Sequence, residues 1–244
     1  MAVQPTLLLI ADIAGYTRFM KFHFMSLVHA QEMVARLLEA VIDAASPALK
    51  LAKLEGDAAF FYLPCAPDGS FEPEIVARHA AAIHRAFHAR IADLKTNTLC
   101  PCDGCQQTGD LKIKLVGHVG DVAVQKVKQF TELAGVDVIV VHRMLKNDVP
   151  LPEYLLVTQP VYEMLDAPLK AFAQSVPLAL EGLGDTDAYY VDLQVCAATT
   201  PPAAVLLPWL PRLARHFQLI GRSLPYIFGL RKACTDFRNV PQQG

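Results

Sequence analysis

The spacing of apolar and polar positions divides the chain into short strands and amphipathic helices. Residues 6–12, "TLLLIAD", form an apolar run of strand length that closes on an acid. Residues 26–46, "SLVHAQEMVARLLEAVIDAAS", place Val28, Val34, Leu37, Leu38, Val41 and Ile42 at helical spacing, with Ser26 positioned as N-cap. In "LKLAKLEGDAAFFYLP" two strand-like halves flank Gly56-Asp57, a hairpin signal. "EPEIVARHAAAIHRAFHARIADL" reads as a second helix with Pro73 and acids at its start. "NTLCPCDGCQQTGD" is a loop, and "LKIKLVGHVGDVAVQKV" a pair of strands around Gly120. "VDVIVVHRMLKND" is short and β-branched at its start, which leaves strand and helix both open. "EYLLVTQPVYEML" reads as a strand and a short helix, and "YYVDLQV" as a late strand. The order β-α-α-β-β-α-β-β-α-β-α-β predicts an α+β sandwich of ferredoxin-like type, an antiparallel-rich sheet with helices on one face.

The pattern changes near residue 197, which sets the expected division at 1–196 and 197–244. The second part, a helical appendage, opens on a proline-rich stretch, and Pro208, Pro211 and Pro225 predict short, broken helices. Its apolar positions, among them Trp209, Leu213, Phe217, Leu224 and Phe228, alternate with Arg212, Arg215, Arg222, Arg231 and Lys232. Such a segment can lie on an anionic membrane, but packing on its own domain or across a dimer is favoured.

Composition narrows the class. With 244 residues, 53% apolar and 19% charged, the chain can bury a core and is not of the disordered type. A formal net charge of -2 provides no general attraction for nucleic acid. The opening "MAVQPTLLLIADIAGY" lacks a secretory pattern, and no uncharged apolar run reaches the roughly 18–20 residues of a membrane span, so a cytoplasmic location is expected.

Two acids stand where chemistry is expected. Asp12 ends the first strand and Asp57 lies in the hairpin turn; in a ferredoxin-like sheet these places are neighbours. Two carboxylates at close range repel, and a hard cation such as Mg²⁺ or Mn²⁺ between them relieves the repulsion. The turn that follows Asp12 can point backbone N–H groups at phosphate. Taken singly, Asp12 reads better as a helix cap and Asp57 as a turn residue, and only together do they point to a metal.

Several stretches together carry a family resemblance. "ADIAGYTRFM", "KLEGDAAFFYL", "IKLVGHVGDVAV", "FTELAGVDVIVVHRM" and "LEGLGDTDAYYVDL" resemble, in order, the motifs of class III adenylyl and guanylyl cyclases over roughly residues 5–195. The inserted cysteine loop, about residues 97–110, suggests a divergent bacterial branch of unassigned function. The resemblance implies that Asp12, Asp57 and the Ile13 carbonyl hold divalent metal. It implies that Ala14, Gly15, Tyr16 and Thr17 hold phosphate, that Lys53 and Glu132 read a purine, with adenine preferred, and that Arg143 acts in catalysis. It also implies a homodimer with sites shared between subunits. Two positions depart from the pattern: Ile139 replaces the ribose-orienting Asn, and Glu181 stands where some members bring a lysine. The expected function is thus binding of a purine nucleoside triphosphate with metal, with two outcomes open: formation of 3′,5′-cyclic AMP, or a degenerate module that binds and signals without turnover. His118 is read as structural.

"LCPCDGC" sets Cys100, Cys102 and Cys105 in a C-x-C-x-x-C run. Three close thiolates suit Zn²⁺ but leave one of its four positions open. Cys65, His79, His84 and His88 are candidates for the fourth ligand, and a reduced loop without metal is the alternative.

Overall fold

The computed structural model describes residues 2–22, 27–100, 105, 107–128, 130–196 and 203–230. The chain divides into two compact units: residues 1–14, 38–87 and 112–201 form the first, and residues 15–37, 88–111 and 202–244 the second.

The first unit holds the sheet. Its strands are β1 (Ala2–Ala14), β2 (Lys50–Glu55), β3 (Ala58–Pro64), β4 (Lys112–Val127), β5 (Phe130–Ala134), β6 (Tyr154–Thr158), β7 (Gln174–Leu180) and β8 (Gly184–Asp192). They run in the order β2-β3-β1-β4-β6-β8-β7, with β5 paired to the far end of β4. Among the described pairs only β4–β6 is parallel. The result is the expected antiparallel-rich α+β architecture.

β1 is central because both its faces are apolar. Leu7, Leu8, Leu9, Ile10, Ala11 and Ile13 are all buried, the near-continuous run of a strand covered on both sides. Leu8 and Ile10 join Ala58, Phe60, Val122 and Val141 in one cluster. Val141 belongs to helix α4 (Val136–Arg143), which therefore covers that face. Full burial of each such side chain contributes about 1.5–3 kcal/mol.

The other helices are α1 (Tyr16–Phe22), α2 (Leu27–Ala45), α3 (Glu74–Asn97), α5 (Gln159–Glu163), α6 (Ala167–Phe172), α7 (Leu193–Cys196) and α8 (Trp209–Ile227). Ser26, the expected cap of α2, lies outside the described residues.

Three local readings change. The stretch around Gly120 is one 16-residue strand rather than two. Gly120 does not turn the chain; a Cβ there would stand 2.1 Å from the Asp137 carboxyl carbon, so glycine is needed for close approach. "VDVIVVHR" is a helix. Gly135 opens it at φ 152, where a Cβ would meet the Asp121 carbonyl oxygen at 2.8 Å. The tail forms one helix of 19 residues with Pro225 inside it; Pro211 falls in the first turn, where an N–H is not needed.

In the second unit the tail packs on its own chain. Buried Asn97, near the end of α3, donates from Nδ2 to the Val205 carbonyl (3.1 Å) and accepts from the Leu207 N–H (2.9 Å). Arg215 of α8 pairs with Asp93 at 3.2 Å. No helix among the described residues is long and apolar enough to cross a membrane.

Candidate functional site

The site is built at the end of β1 that leads into the Gly15 turn. Alternation along the strand sends Leu8, Ile10 and Asp12 to the same face, the face under α4. Antiparallel register places Asp12 opposite Ala58 on β3 and opposite Lys114 on β4. Asp57 precedes Ala58 in the hairpin turn, and its carbonyl accepts a bond from the Ile13 N–H at 3.2 Å. Main-chain pairing thus fixes Asp12 on β1 and Asp57 in the turn beside it.

Their electrostatics agree with that placement. Burial, and then the Asp57 charge, push the Asp12 carboxyl up to about 6, while the Lys114 charge opposes them. Burial also raises the Asp57 carboxyl. An acid that pays for its ionisation in this way is one that gains from a cation. The donor set of two carboxylates suits Mg²⁺ or Mn²⁺, which prefer hard oxygen.

The remaining candidates fall as follows. Ala14 ends β1, Gly15 has φ 88, and Tyr16 and Thr17 begin α1. In the second unit, Gly15, Arg18, Phe19, Gln107, Asp110 and Leu111 line a cavity of about 100 Å³. Lys53 on β2 pairs with Glu55 at 2.8 Å, and Glu132 lies on β5 opposite Gln125. Arg143 ends α4 and is paired with Glu181. Ile139 on the same helix is 48% exposed, so its apolar side chain fills no core position there. Cys100 and Cys105 line a small cavity of the second unit with Leu94, Lys95 and Thr98; Cys102 lies outside the described residues.

Sequence reasoning missed Lys114, Glu55 and His142. His142 Nε2 binds Glu55 Oε2 at 2.9 Å, its Nδ1 lies 2.6 Å from the Val138 carbonyl oxygen, and its ring packs edge-on to Phe60. Burial alone would raise the Glu55 carboxyl, but Lys53 and His142 together outweigh it and hold it below the ordinary value. Only the tertiary pairing of β2 with α4 reveals this cluster. His118 serves structure: its ring joins Thr158 Oγ1 and Asp137 Oδ1, each at 2.9 Å, and so ties β4 to β6 and to the start of α4.

Strand order, register and the α4 face define a class III nucleotidyl cyclase fold, and solved structures agree. The guanylate cyclase domain of RhGC from Catenaria anguillulae, solved in complex with GTP, matches with a TM-score of 0.56 at 16% identity, over 78% of this chain and 98% of that one. A class III adenylyl cyclase-like ATP-binding protein from Pseudomonas aeruginosa matches with a TM-score of 0.55 at 18% identity, over 70% of this chain and 36% of that one. The family described as "Protein of unknown function (DUF2652)" matches residues 34–154. The chain belongs to the same family as the uncharacterized protein Rv2561/Rv2562 of Mycobacterium tuberculosis, with which it is 42% identical over 207 residues, 85% of this chain and 94% of that one.

Proposed function

We propose that this chain binds a purine nucleoside triphosphate together with Mg²⁺ or Mn²⁺, as a divergent class III cyclase homology domain acting in a homodimer. The observation that carries the reading is the approach of Asp12 and Asp57 at the end of the central strand, with the Asp12 carboxyl pushed up to about 6. In this reading Asp12, Asp57 and the Ile13 carbonyl take the metal. Residues 14–17 take phosphate, and Lys53 with Glu132 reads the base. The bound ion would neutralise charge on the triphosphate and withdraw electron density from its phosphorus. The likeness to an ATP-binding cyclase-like protein supports binding as the core of the function.

A second reading, formation of 3′,5′-cyclic AMP, is favoured by Arg143 in the position the family uses for catalysis. It is opposed by Ile139, which has no donor or acceptor to orient a ribose, and by Glu181, whose carboxylate occupies Arg143. Loss of one positioning group slows a reaction by about tenfold for each 1.4 kcal/mol of transition-state stabilisation removed.

The test is calorimetric titration of the full chain with ATP and with GTP in Mn²⁺, beside an assay for cyclic product, with Asp57→Ala as control. Metal-dependent binding that Asp57→Ala removes supports the proposal, and cyclic product lost in the same control supports the second reading. No binding of either nucleotide by the folded chain overturns both.

A further inference from the structure

We propose that the exposed apolar stripe of α8, with the residues that flank it, docks on an anionic lipid surface and holds the chain at a membrane without crossing it. The surface lies within the second unit and does not depend on the nucleotide reading.

The geometry begins with the side of α8 that packs. Arg215 pairs with Asp93 of α3 at 3.2 Å, and Arg212 and His216 beside it are half-buried. A surface helix ordinarily turns its apolar stripe inward and leaves its charges in water. α8 instead presents an apolar stripe to solvent. Leu210, Ala214, Phe217, Gly221, Leu224 and Phe228 recur at steps of four and three, so they share a face, and every one is exposed. The Phe228 N–H donates to the Leu224 carbonyl at 2.9 Å, which continues the turn past the end of the helix. None of the six carries a charge.

The face is also large. Trp209 at its start, Phe217 and Phe228 are 66%, 61% and 71% exposed. With about 200 Å² for an aromatic side chain, these three leave roughly 400 Å² of apolar surface bare. Leu206, Leu210 and Leu224, exposed as well, extend it. Contiguous patches of about 300–600 Å² are the largest on an ordinary soluble monomer and commonly mark contact sites.

Charge selects the partner. From residue 193 to residue 235 the sequence carries Arg212, Arg215, Arg222, Arg231 and Lys232 and no acid, in a chain whose formal net charge is -2. A second copy docked on this face would set these cations against one another, and like charges brought together oppose association. An anionic bilayer attracts them and takes Trp, Phe and Leu side chains into the boundary between headgroups and acyl chains.

Trp209 is the chain's single tryptophan, so its emission reports the contact directly. The test is titration of the full chain with vesicles of phosphatidylcholine, with and without phosphatidylglycerol, at low and high salt, read by tryptophan emission and co-sedimentation. The expected result is a shift of emission to shorter wavelength and pelleting that require phosphatidylglycerol and weaken in high salt. Phe217→Asp should lower partitioning by about tenfold or more. Replacing both Arg231 and Lys232 by Ala should lower it by about fivefold for each cation removed. That variant leaves α8 itself unchanged and keeps the test valid if Phe217→Asp fails to fold, as judged by circular dichroism. The proposal is overturned if the folded chain does not pellet with phosphatidylglycerol, if neutral vesicles bind it as tightly, or if folded Phe217→Asp partitions like the native chain. An emission shift that follows protein concentration without vesicles, and that vesicles do not add to, would likewise overturn it and assign the face to a second copy.

Discussion

Replacing Asp12 by Asn tests the carboxylate pair without nucleotide. The Asp12 carboxyl rises from 3.8 to about 6 in the folded chain. Each pH unit corresponds to about 1.4 kcal/mol, so about two units would be worth about 3 kcal/mol. Asp12 is only half-buried, and solvent screening reduces this to about 1–2 kcal/mol. The sign follows from proton binding. A carboxyl raised on folding holds its proton more tightly in the folded state, so the native chain loses stability as pH climbs from about 4 to 6 and stays lowered above that. Asn carries no charge and escapes the loss. Asp12→Asn should therefore match the native chain near pH 4, gain on it through pH 5 and 6, and be about 1–2 kcal/mol more stable at pH 7. For a chain of this length that is about 2–8 °C in Tm. Mn²⁺ should raise the Tm of the native chain, increasingly so above pH 6, and leave the variant's unchanged. Thermal melts from pH 4 to 8, with and without Mn²⁺, measure both effects. A variant less stable than the native chain at pH 7, or one that Mn²⁺ stabilises equally, refutes the coupling of these two acids.

Three further perturbations probe the surroundings. Gly120→Ala puts a methyl group into the Asp137 carboxylate and should cost about 1–3 kcal/mol in urea unfolding; a neutral result would mean that Asp137 leaves His118 without loss. Glu181→Ala frees the Arg143 guanidinium from an exposed ion pair, so stability should change by less than about 1 kcal/mol while calorimetric affinity for ATP in Mn²⁺ rises; weaker ATP binding would contradict the placement of Arg143 near phosphate. Asn97→Ala removes the buried amide that holds Val205 and Leu207. It should cost about 1–3 kcal/mol and speed proteolysis between residues 203 and 210, and an unchanged cleavage rate would show that other contacts hold the tail.

Much of the sheet could be read from the sequence because its signals are local. The run from Leu7 to Ile10 needed only composition and length, and Gly56-Asp57 marked a hairpin because the turn chemistry is carried by two adjacent residues. Other elements depend on tertiary context. "QSVPLAL" contains Pro177, which argues against a strand; β7 accepts it because it closes the sheet at an edge. Gly120 carries the same signal whether it turns a chain or makes room for a carboxylate, and only the position of Asp137 distinguishes the two. Asp12 and Asp57 were recognised through motifs. Glu55, His142 and Lys114 were not, since each acts through a partner on another element.

The charges around the proposed nucleotide site determine what can bind there. In the proposed site, shared between two subunits, Asp12, Asp57, Glu55, Glu132 and Glu181 would supply five carboxylates against the three cations Lys53, Lys114 and Arg143. Two of those cations are already engaged, Lys53 by Glu55 and Arg143 by Glu181. In that proposal a triphosphate approaching the bare site would meet an excess of carboxylates and would have to displace some before it gained an ammonium or guanidinium. Breaking exposed pairs costs only about 0–1 kcal/mol each, so the larger obstacle is repulsion from the half-buried acids, which a divalent ion reverses at both ends. Nucleotide binding should therefore require metal, and affinity should rise as Asp12 ionises above pH 6. Titration of the full chain with ATP at pH 5 and pH 7.5, each with EDTA and with Mn²⁺, separates the four cases. Binding in EDTA as strong as in Mn²⁺ would show that the triphosphate is held by side chains other than this pair, and the functional reading would move away from Asp12.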